Sequence, residues 1–215
     1  MNQNTNNSKE LFKTMFSSAG KLTLFISISI VLLLGIRALT APAIAEAERE
    51  SLIQTFSEVL PEKNYNNDPL HDTIIIKDKH YLELLGSAKP VTIYRAFKNE
   101  EPAGAILTAI APNGYSGNIT LLVGVLPDGR ISGVRVLNHR ETPGLGDKIE
   151  IAKTNWVLEF DGRKLRDNNE PRWAVKKDGG DFDQFTGATI TPRAVIDAVK
   201  NALIVINDLG AHLYE

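Results

Sequence analysis

The sequence predicts an α+β fold, in which an antiparallel sheet is flanked by helices and an apolar helix precedes the folded domain. Three observations support this prediction. Residues 22–36 carry no charge, the middle of the chain alternates runs of β-forming residues with turn formers, and apolar residues recur at helical spacing near the C-terminus. A run of strands with helices before and after it is typical of an α+β domain rather than of a parallel sheet.

The N-terminal apolar segment predicts a transmembrane anchor at residues 22–42. Its uncharged core, residues 22–36, is bracketed by Lys21 and Arg37. As a helix this core would span roughly 22 Å, which is short of a hydrocarbon thickness of about 30 Å. The apolar character continues to residue 45, and both flanking cations can extend towards the interface, so the segment is long enough to cross.

The charges before the anchor predict its orientation. Three lysines, Lys9, Lys13 and Lys21, stand against Glu10 alone. The positive-inside rule therefore keeps residues 1–21 in the cytoplasm. The rest of the chain would then lie outside the cell inner membrane, which means the periplasm in a Gram-negative cell.

A cleaved signal peptide is the alternative interpretation of the same segment. The basic start, the apolar core and the A-x-A site at Ala43-Ile44-Ala45 fit it. Against cleavage, apolar side chains keep a helical spacing through residues 46–60, which is typical of a helix that leaves the membrane without a break. Residues 43–89 are accordingly assigned to a helix and a connecting segment, and residues 90–215 to the main domain.

The middle of the chain predicts a meander of antiparallel strands. Four strands are expected, at residues 90–97, 103–111, 119–126 and 131–137. Pro127-Asp128-Gly129-Arg130 is a hairpin signal between the last two. A short extra strand is expected at residues 73–77 and a surface loop at residues 62–69. The helices are expected to pack against one face of the sheet.

A final amphipathic helix is predicted for residues 192–207. Thr191 is expected to cap it, with Pro192 at the first helical position, where proline costs no hydrogen bond. Thr189 would therefore lie just before a helix N-terminus. Unpaired N–H groups and the helix dipole favour a phosphate at such a position.

Composition limits the possible chemistry. The net charge of −2 gives no basic footprint for nucleic acid. The sequence has no cysteine, which excludes disulfides, thiolate metal sites and iron–sulfur clusters, so a redox role would need another cofactor such as flavin. The four histidines show no metal-ligand spacing, and neither a metal site nor a catalytic residue is predicted.

A glycine-containing loop follows the last predicted strand, with the sequence E-T-P-G-L-G-D-K-I at residues 141–149. It is not a dinucleotide-binding fingerprint, because Ile149 stands where G-x-G-x-x-G needs its third glycine. Two interpretations stay open. The N–H groups of the loop approach a planar or anionic ligand, or the loop is a plain turn between sheet and helix.

Two motifs together resemble a known family. The heptad D-Q-F-T-G-A-T at residues 183–189 is similar to the D-x-x-[S/T]-G-A-T signal at which a transferase attaches flavin mononucleotide (FMN) to threonine. With the E-T-P-G-L-G-D-K-I loop upstream, the chain resembles the FMN-binding domain of the G subunit of the Rnf (Rsx) electron transport complexes. It is also similar to the C subunit of the sodium-translocating NADH:quinone reductase. Residues 114–117 and 173–182 add to the resemblance.

The resemblance implies covalent FMN, joined by a phosphoester bond to Thr189, with Thr186 and Thr191 as alternative hydroxyls. It implies that the FMN transferase recognises Asp183, Thr186, Gly187 and Ala188. The loop residues expected near the cofactor are Glu141, Thr142, Gly144, Leu145 and Lys148. The Lys148 ammonium is either a charge partner of the phosphate or a solvated surface group.

The function implied by the resemblance is electron relay by a membrane-anchored flavoprotein within an ion-translocating oxidoreductase complex, together with the other proteins of that complex. No threonine has an evident base beside it, so an external transferase would be needed. One alternative is a soluble periplasmic flavin carrier released by signal-peptide cleavage. A hydrolase or a scaffold is the other, although the sequence has no G-x-S-x-G elbow.

Overall fold

A computed structural model describes the backbone of residues 3–215 and the side chains of residue 15, residues 19–47 and residues 49–215. The chain divides into two compact units, Met1–Leu52 and Ile53–Glu215. The side chains of Lys9, Glu10 and Lys13, on which the predicted orientation rests, lie outside the described residues.

Helix α1 runs from Gln3 to Val59 and continues past Pro42. It contains one stretch, Ala19–Val59, that is long and apolar enough to cross a membrane. Side chains on different sides of this helix are exposed: Phe25 by 70%, Val31 by 70% and Leu39 by 82%. A helix with exposed apolar side chains on several sides is typical of a segment that lies in lipid.

The second unit is built on a five-stranded antiparallel sheet whose strands are neighbours in chain order. The strands are β1 (Thr73–Ile76), β2 (Val91–Lys98), β3 (Glu101–Gly114), β4 (Gly117–Val125) and β5 (Ile131–Asn138). The predicted meander and its short extra strand are confirmed. The turn between β2 and β3 is shorter than expected, because Asn99 and Glu100 both adopt positive φ angles of 52° and 70°, as a two-residue type I′ hairpin turn requires.

Helices cover both faces of the sheet. Helix α3 (Ile190–Leu209) buries Val199 in the same core as Leu107 of β3. The residue before it in the strand, Ile106, belongs to a second core. This core also contains Val59, the last residue of α1, and Leu60. The prediction that the helices share one face was therefore wrong. Residues 104–107 of β3 are all buried, and a strand with such a continuous buried run needs cover on both sides.

Two glycines allow the end of α1 to approach the sheet closely. A Cβ atom on Gly124 would lie 2.5 Å from the Val59 carbonyl oxygen, and one on Gly133 would lie 2.9 Å from the Val59 Cα. The Ser132 hydroxyl donates a hydrogen bond to the same carbonyl at 2.5 Å. Backbone contact at this point fixes residues 53–59 on the sheet.

A short helix, α2 (Lys79–Leu84), was not predicted. Its first turn is capped by Asp78, whose carboxylate accepts the His80 N–H at 2.8 Å. Six residues are too few to show a helical period in the sequence, so Asp78 was the available signal. The helix packs Tyr81 and Leu82 against the main core.

Candidate functional site

The T-G-A-T segment forms a tight turn directly before α3. The Ala188 N–H donates to the Phe185 carbonyl at 3.1 Å. Gly187 adopts a φ of +79°, as the third position of a type II turn requires. The Phe185 side chain is buried, whereas Thr186 and Gly187 are exposed at the tip.

Thr189 is the N-cap residue of α3. The helix begins at Ile190, so the prediction of Thr191 as the cap and Pro192 as the first helical residue was wrong by two positions. Proline is accepted at the third helical position because the N–H groups of the first turn have no intrahelical partner. The half-buried Thr189 side chain makes no capping hydrogen bond, which leaves its hydroxyl available.

The Thr191 hydroxyl is engaged inside the protein. Thr191 is fully buried and donates a hydrogen bond to Glu141 Oε2. The other carboxylate oxygen, Glu141 Oε1, accepts the Ser116 N–H at 2.9 Å. Glu141 is itself buried, with 5% exposure. Its carboxylate therefore joins the β3–β4 turn, the glycine loop and the first turn of α3.

Glycines surround the Glu141 carboxylate because larger residues would collide with it. A Cβ atom on Gly146 would lie 2.7 Å from Glu141 Oε2 and 2.9 Å from the Thr191 hydroxyl. A Cβ atom on Gly114 would lie 2.3 Å from the Gly117 carbonyl oxygen. Gly144 has a different role: it has open space around it and a φ of +79°, which favours glycine.

The two motifs meet at a cavity of about 300 Å³. Its lining consists of Tyr115, Glu141, Thr142, Leu145, Gly146, Gly187, Ala188, Thr189, Ile190 and Thr191. The glycine loop therefore lines a space of ligand size.

The cavity combines an apolar rim with a polar end. Three large apolar side chains at its edge are exposed: Tyr115 by 68%, Leu145 by 42% and Ile190 by 47%. The polar end holds the Thr189 hydroxyl and the N-terminus of α3. The apolar rim suits a flat apolar group, and the helix N-terminus suits an anionic group. The cavity therefore fits a ligand that has both, as FMN does. Tyr115 and Ile190 were absent from the predicted site, although the glycines on both sides of Tyr115-Ser116 marked an exposed turn.

Four predicted site residues do not line this cavity: Asp183, Thr186, Gly144 and Lys148. Thr186 and Gly144 are exposed, and Lys148 is half-buried. The Asp183 carboxylate pairs with the Lys176 ammonium at 2.5 Å, and both side chains are 58% exposed. Asp183 is thus a surface group, whereas Thr142, Leu145 and Ala188 line the cavity.

The backbone around Asp183 is held by the aromatic core. The Trp156 indole N–H donates to the Asp183 carbonyl at 2.8 Å, and the Asp183 N–H donates to Glu159 Oε2 at 3.2 Å. Trp156 packs edge-on against Phe185, with ring centroids 5.2 Å apart. Burial raises the pKa of the Glu159 carboxyl. These contacts position the turn that precedes Thr189.

Comparisons with known proteins agree with the geometry. The profile of the FMN-binding domain family matches residues 114–204, which include both cavity-forming loops. Three curated relatives are named as the G subunit of an ion-translocating oxidoreductase complex. The relative from Pseudoalteromonas atlantica is 51% identical over 73% of this chain and 71% of its own length. The relative from Vibrio cholerae serotype O1 is 47% identical over 82% of this chain and 83% of its own length. The relative from Shewanella baltica is 41% identical over 93% of each chain.

Proposed function

The chain belongs to the family of G subunits of ion-translocating oxidoreductase complexes, and on this premise we propose that it carries FMN covalently on Thr189 and relays electrons within such a complex. Bound FMN would supply single-electron acceptance and donation. The protein's part is to hold the flavin, shield it from water and set its environment.

The choice of Thr189 rests on the state of three hydroxyls. Thr189 lines the cavity and makes no capping hydrogen bond. Thr191 also lines the cavity, but its hydroxyl is bound to the buried Glu141 carboxylate. Thr186 lies on the exposed turn and does not line the cavity. Availability and position together favour the Thr189 oxygen.

The helix N-terminus supports a phosphoester at this oxygen. The first-turn N–H groups of Ile190 and Thr191 have no intrahelical acceptor, and the helix dipole adds partial positive charge there. The exposed side chains of Tyr115 and Leu145 would then pack against the flavin ring. Burial of these two apolar surfaces is the principal gain on binding.

Attachment would depend on a separate FMN transferase. Glu141 is the acidic residue in the cavity lining, and its hydrogen bonds come from the Ser116 N–H and the Thr191 hydroxyl. Neither of these hydrogen bonds involves the Thr189 hydroxyl, so Glu141 is not placed as its base. The exposed Asp183, Thr186 and Gly187 form a surface that a transferase could recognise.

For location we propose a retained anchor in the inner membrane, with the N-terminus cytoplasmic and the flavin domain periplasmic. The apolar helix with exposed side chains supports an anchor. Helix α1 continues without a break through Ala43-Ile44-Ala45, the residues that would form a signal-peptidase site. Mass spectrometry of the mature N-terminus distinguishes this anchor from a soluble carrier released after Ala45.

The attachment is tested by denaturing the purified protein and measuring flavin that stays with the polypeptide. Wild type co-expressed with the transferase is expected to give a fluorescent band and the added mass of FMN. Thr189→Ala is expected to lose both, whereas Thr191→Ser keeps them. Thr186→Ala alters the transferase signal and is expected to give a smaller fraction of labelled protein, in which the flavin is still attached. Retained flavin in the Thr189 variant, or its loss only in the Thr186 variant, would show that Thr189 is not the attachment site.

A further inference from the structure

A second cavity, of about 350 Å³, shares no lining residue with the one at Thr189. Its lining includes five cationic side chains: Arg130, Arg163, Lys164, Arg166 and Arg172. Two acidic side chains, Glu170 and Asp181, also line it. We propose that this basic cleft binds the phosphate group of a phosphate-bearing ligand.

The backbone brings the cations of the basic cleft together from separate segments. Arg130 is the last residue of the turn between β4 and β5. Residues 163–166 follow the 3₁₀ helix Trp156–Phe160. The two segments are joined by a β-bridge between Arg130 and Lys164. The Ile131 N–H donates to the Arg163 carbonyl at 2.8 Å, and the Gly162 N–H donates to the Ile131 carbonyl at 2.8 Å. The positive groups are thus positioned by hydrogen-bonded backbone.

Charge in the basic cleft is only partly compensated. Arg130 pairs with Asp128 at 2.6 Å, Arg163 with Asp181 at 3.2 Å, and Arg172 with Glu170 at 3.3 Å. Among the described residues, Lys164 and Arg166 make no ion pair with an acidic side chain, and both are exposed. A hydrogen bond from the Arg130 N–H lowers the pKa of the nearby Asp128 carboxyl, and the charge of Lys164 also helps to lower it. An incoming anion would therefore find two cations that are not held in an ion pair, one of which is attracted to Asp128 at longer range.

Part of the wall of the basic cleft is held by packing and hydrogen bonding. The Arg163 guanidinium carbon lies 4.3 Å from the centroid of the Phe182 ring, and the Arg163 Nε–H donates to the Glu159 carbonyl at 2.6 Å. The Trp173 side chain, 6% exposed, forms an apolar part of the lining. Trp173 packs in turn on Phe182, with centroids 5.5 Å apart.

The shape and charge of the basic cleft favour phosphate over an acidic protein segment. Guanidinium groups present paired N–H donors that match phosphate oxygens, and several cations can share one phosphate. Here the cations converge on a concave space of ligand size. An acidic segment of a partner protein would instead be matched by cations spread along an open surface.

Isothermal titration of the full chain, in a neutral detergent and without phosphate buffer, tests the site. The probes are inorganic phosphate and glycerol phosphate. Single-site binding is expected, and the double variant Lys164→Gln/Arg166→Gln should weaken it about tenfold, since charge-assisted hydrogen bonds are lost. The matched control Lys77→Gln/Lys89→Gln removes the same charge at exposed positions outside the cleft and should bind like wild type.

Further probes identify the source of the phosphate. Short-chain phosphatidylglycerol that binds more tightly than glycerol phosphate, with no binding of short-chain phosphatidylcholine, would identify a lipid headgroup. Equal binding of both glycerol compounds would identify a soluble phosphate ester. Three outcomes overturn the proposal: no saturable binding of any phosphate probe, equal losses in the two double variants, or binding of a hexaglutamate peptide alone. Thr189→Ala should bind phosphate unchanged, so this test is independent of flavin attachment.

Discussion

The Thr191 hydroxyl and the Glu141 carboxylate lie fifty residues apart in the sequence and are hydrogen-bonded in the interior of the domain. This contact joins the glycine loop to the first turn of α3. Because both groups belong to the protein, the two halves of the cavity are held together before any cofactor arrives. The Ser116 N–H donates to the other oxygen of the same carboxylate, and the Gly146 backbone lies close against it.

The first prediction concerns this hydrogen bond. Thr191→Val keeps the shape of the side chain but leaves Glu141 Oε2 buried without a donor, which is expected to lower the free energy of unfolding by about 1–3 kcal/mol. Thr191→Ser keeps the hydroxyl and is expected to lose less. Urea unfolding of flavin-free protein, followed by tryptophan fluorescence, measures both. Equal stability of the valine and serine variants would contradict a stabilising role for the hydroxyl.

The second prediction concerns the glycine next to this carboxylate. Gly146→Ala would place a Cβ atom 2.7 Å from Glu141 Oε2, and relieving that overlap is expected to cost about 1–3 kcal/mol and to reduce flavin loading. Gly144→Asn in the same loop is the matched control. Its surroundings are open, and asparagine adopts a positive φ more often than other non-glycine residues, so its cost is limited to backbone strain and should be smaller. Flavin per polypeptide and the urea midpoint measure the two effects. An alanine variant as stable and as fully loaded as the asparagine variant would contradict the steric argument.

The third prediction concerns the apolar rim. Leu145 is 42% exposed at the cavity, and Leu137 is 44% exposed outside it. Leu145→Ala should leave the stability of the flavin-free protein almost unchanged but make attached flavin more accessible to iodide quenching. Leu137→Ala removes the same side chain at equal exposure and should leave the quenching unchanged. The same response from both variants would mean that Leu145 does not cover the flavin.

Local signals in the sequence were sufficient for the strands and the last helix. Alternating β-formers and turn residues marked the sheet, and the period of Val195, Val199 and Ile206 marked α3. The cap was misplaced because a threonine before proline is a strong local signal, whereas the actual role of Thr191 depends on Glu141. A hydrogen bond between residues fifty positions apart cannot be predicted from the residues that neighbour either partner.

Tertiary packing decided the other differences. The continuous buried run in β3 required cover on both faces, and that cover came from the end of α1. Lys148 was expected near the cofactor from its place in a motif, either as a partner of the phosphate or as a solvated group. The 3₁₀ turn Gly146–Ile149 leaves it outside the cavity lining. Conversely, Tyr115 joined the site because a hairpin turn of the sheet lies beside the glycine loop.

The fourth prediction concerns recognition by the transferase. Asp183→Asn removes the carboxylate of the D-x-x-T-G-A-T signal and is expected to reduce the fraction of protein that acquires flavin in cells. Because the ion pair with Lys176 is exposed, water screens it and its loss should change stability little. Lys176→Ala breaks the same ion pair from the other side and should be loaded like wild type. A similar loss of flavin in both variants would assign the effect to the ion pair.

The last prediction is a pH dependence at Glu159, whose carboxylate accepts the Asp183 N–H. Burial raises the pKa of this carboxyl above its ordinary value of 4.5, so the folded state holds the proton more tightly than the unfolded state does. The resulting contribution to stability is fully present below the ordinary pKa and is lost as the pH rises through the raised pKa.

Glu159→Gln keeps an acceptor for the N–H and carries no charge at any pH. The variant should therefore gain stability relative to wild type as the pH rises above the ordinary pKa of 4.5, as measured by urea midpoints. Glu101→Gln, at an exposed position, is the control for the loss of one carboxylate. A difference for Glu159→Gln that stays constant or narrows as the pH rises would contradict the raised pKa.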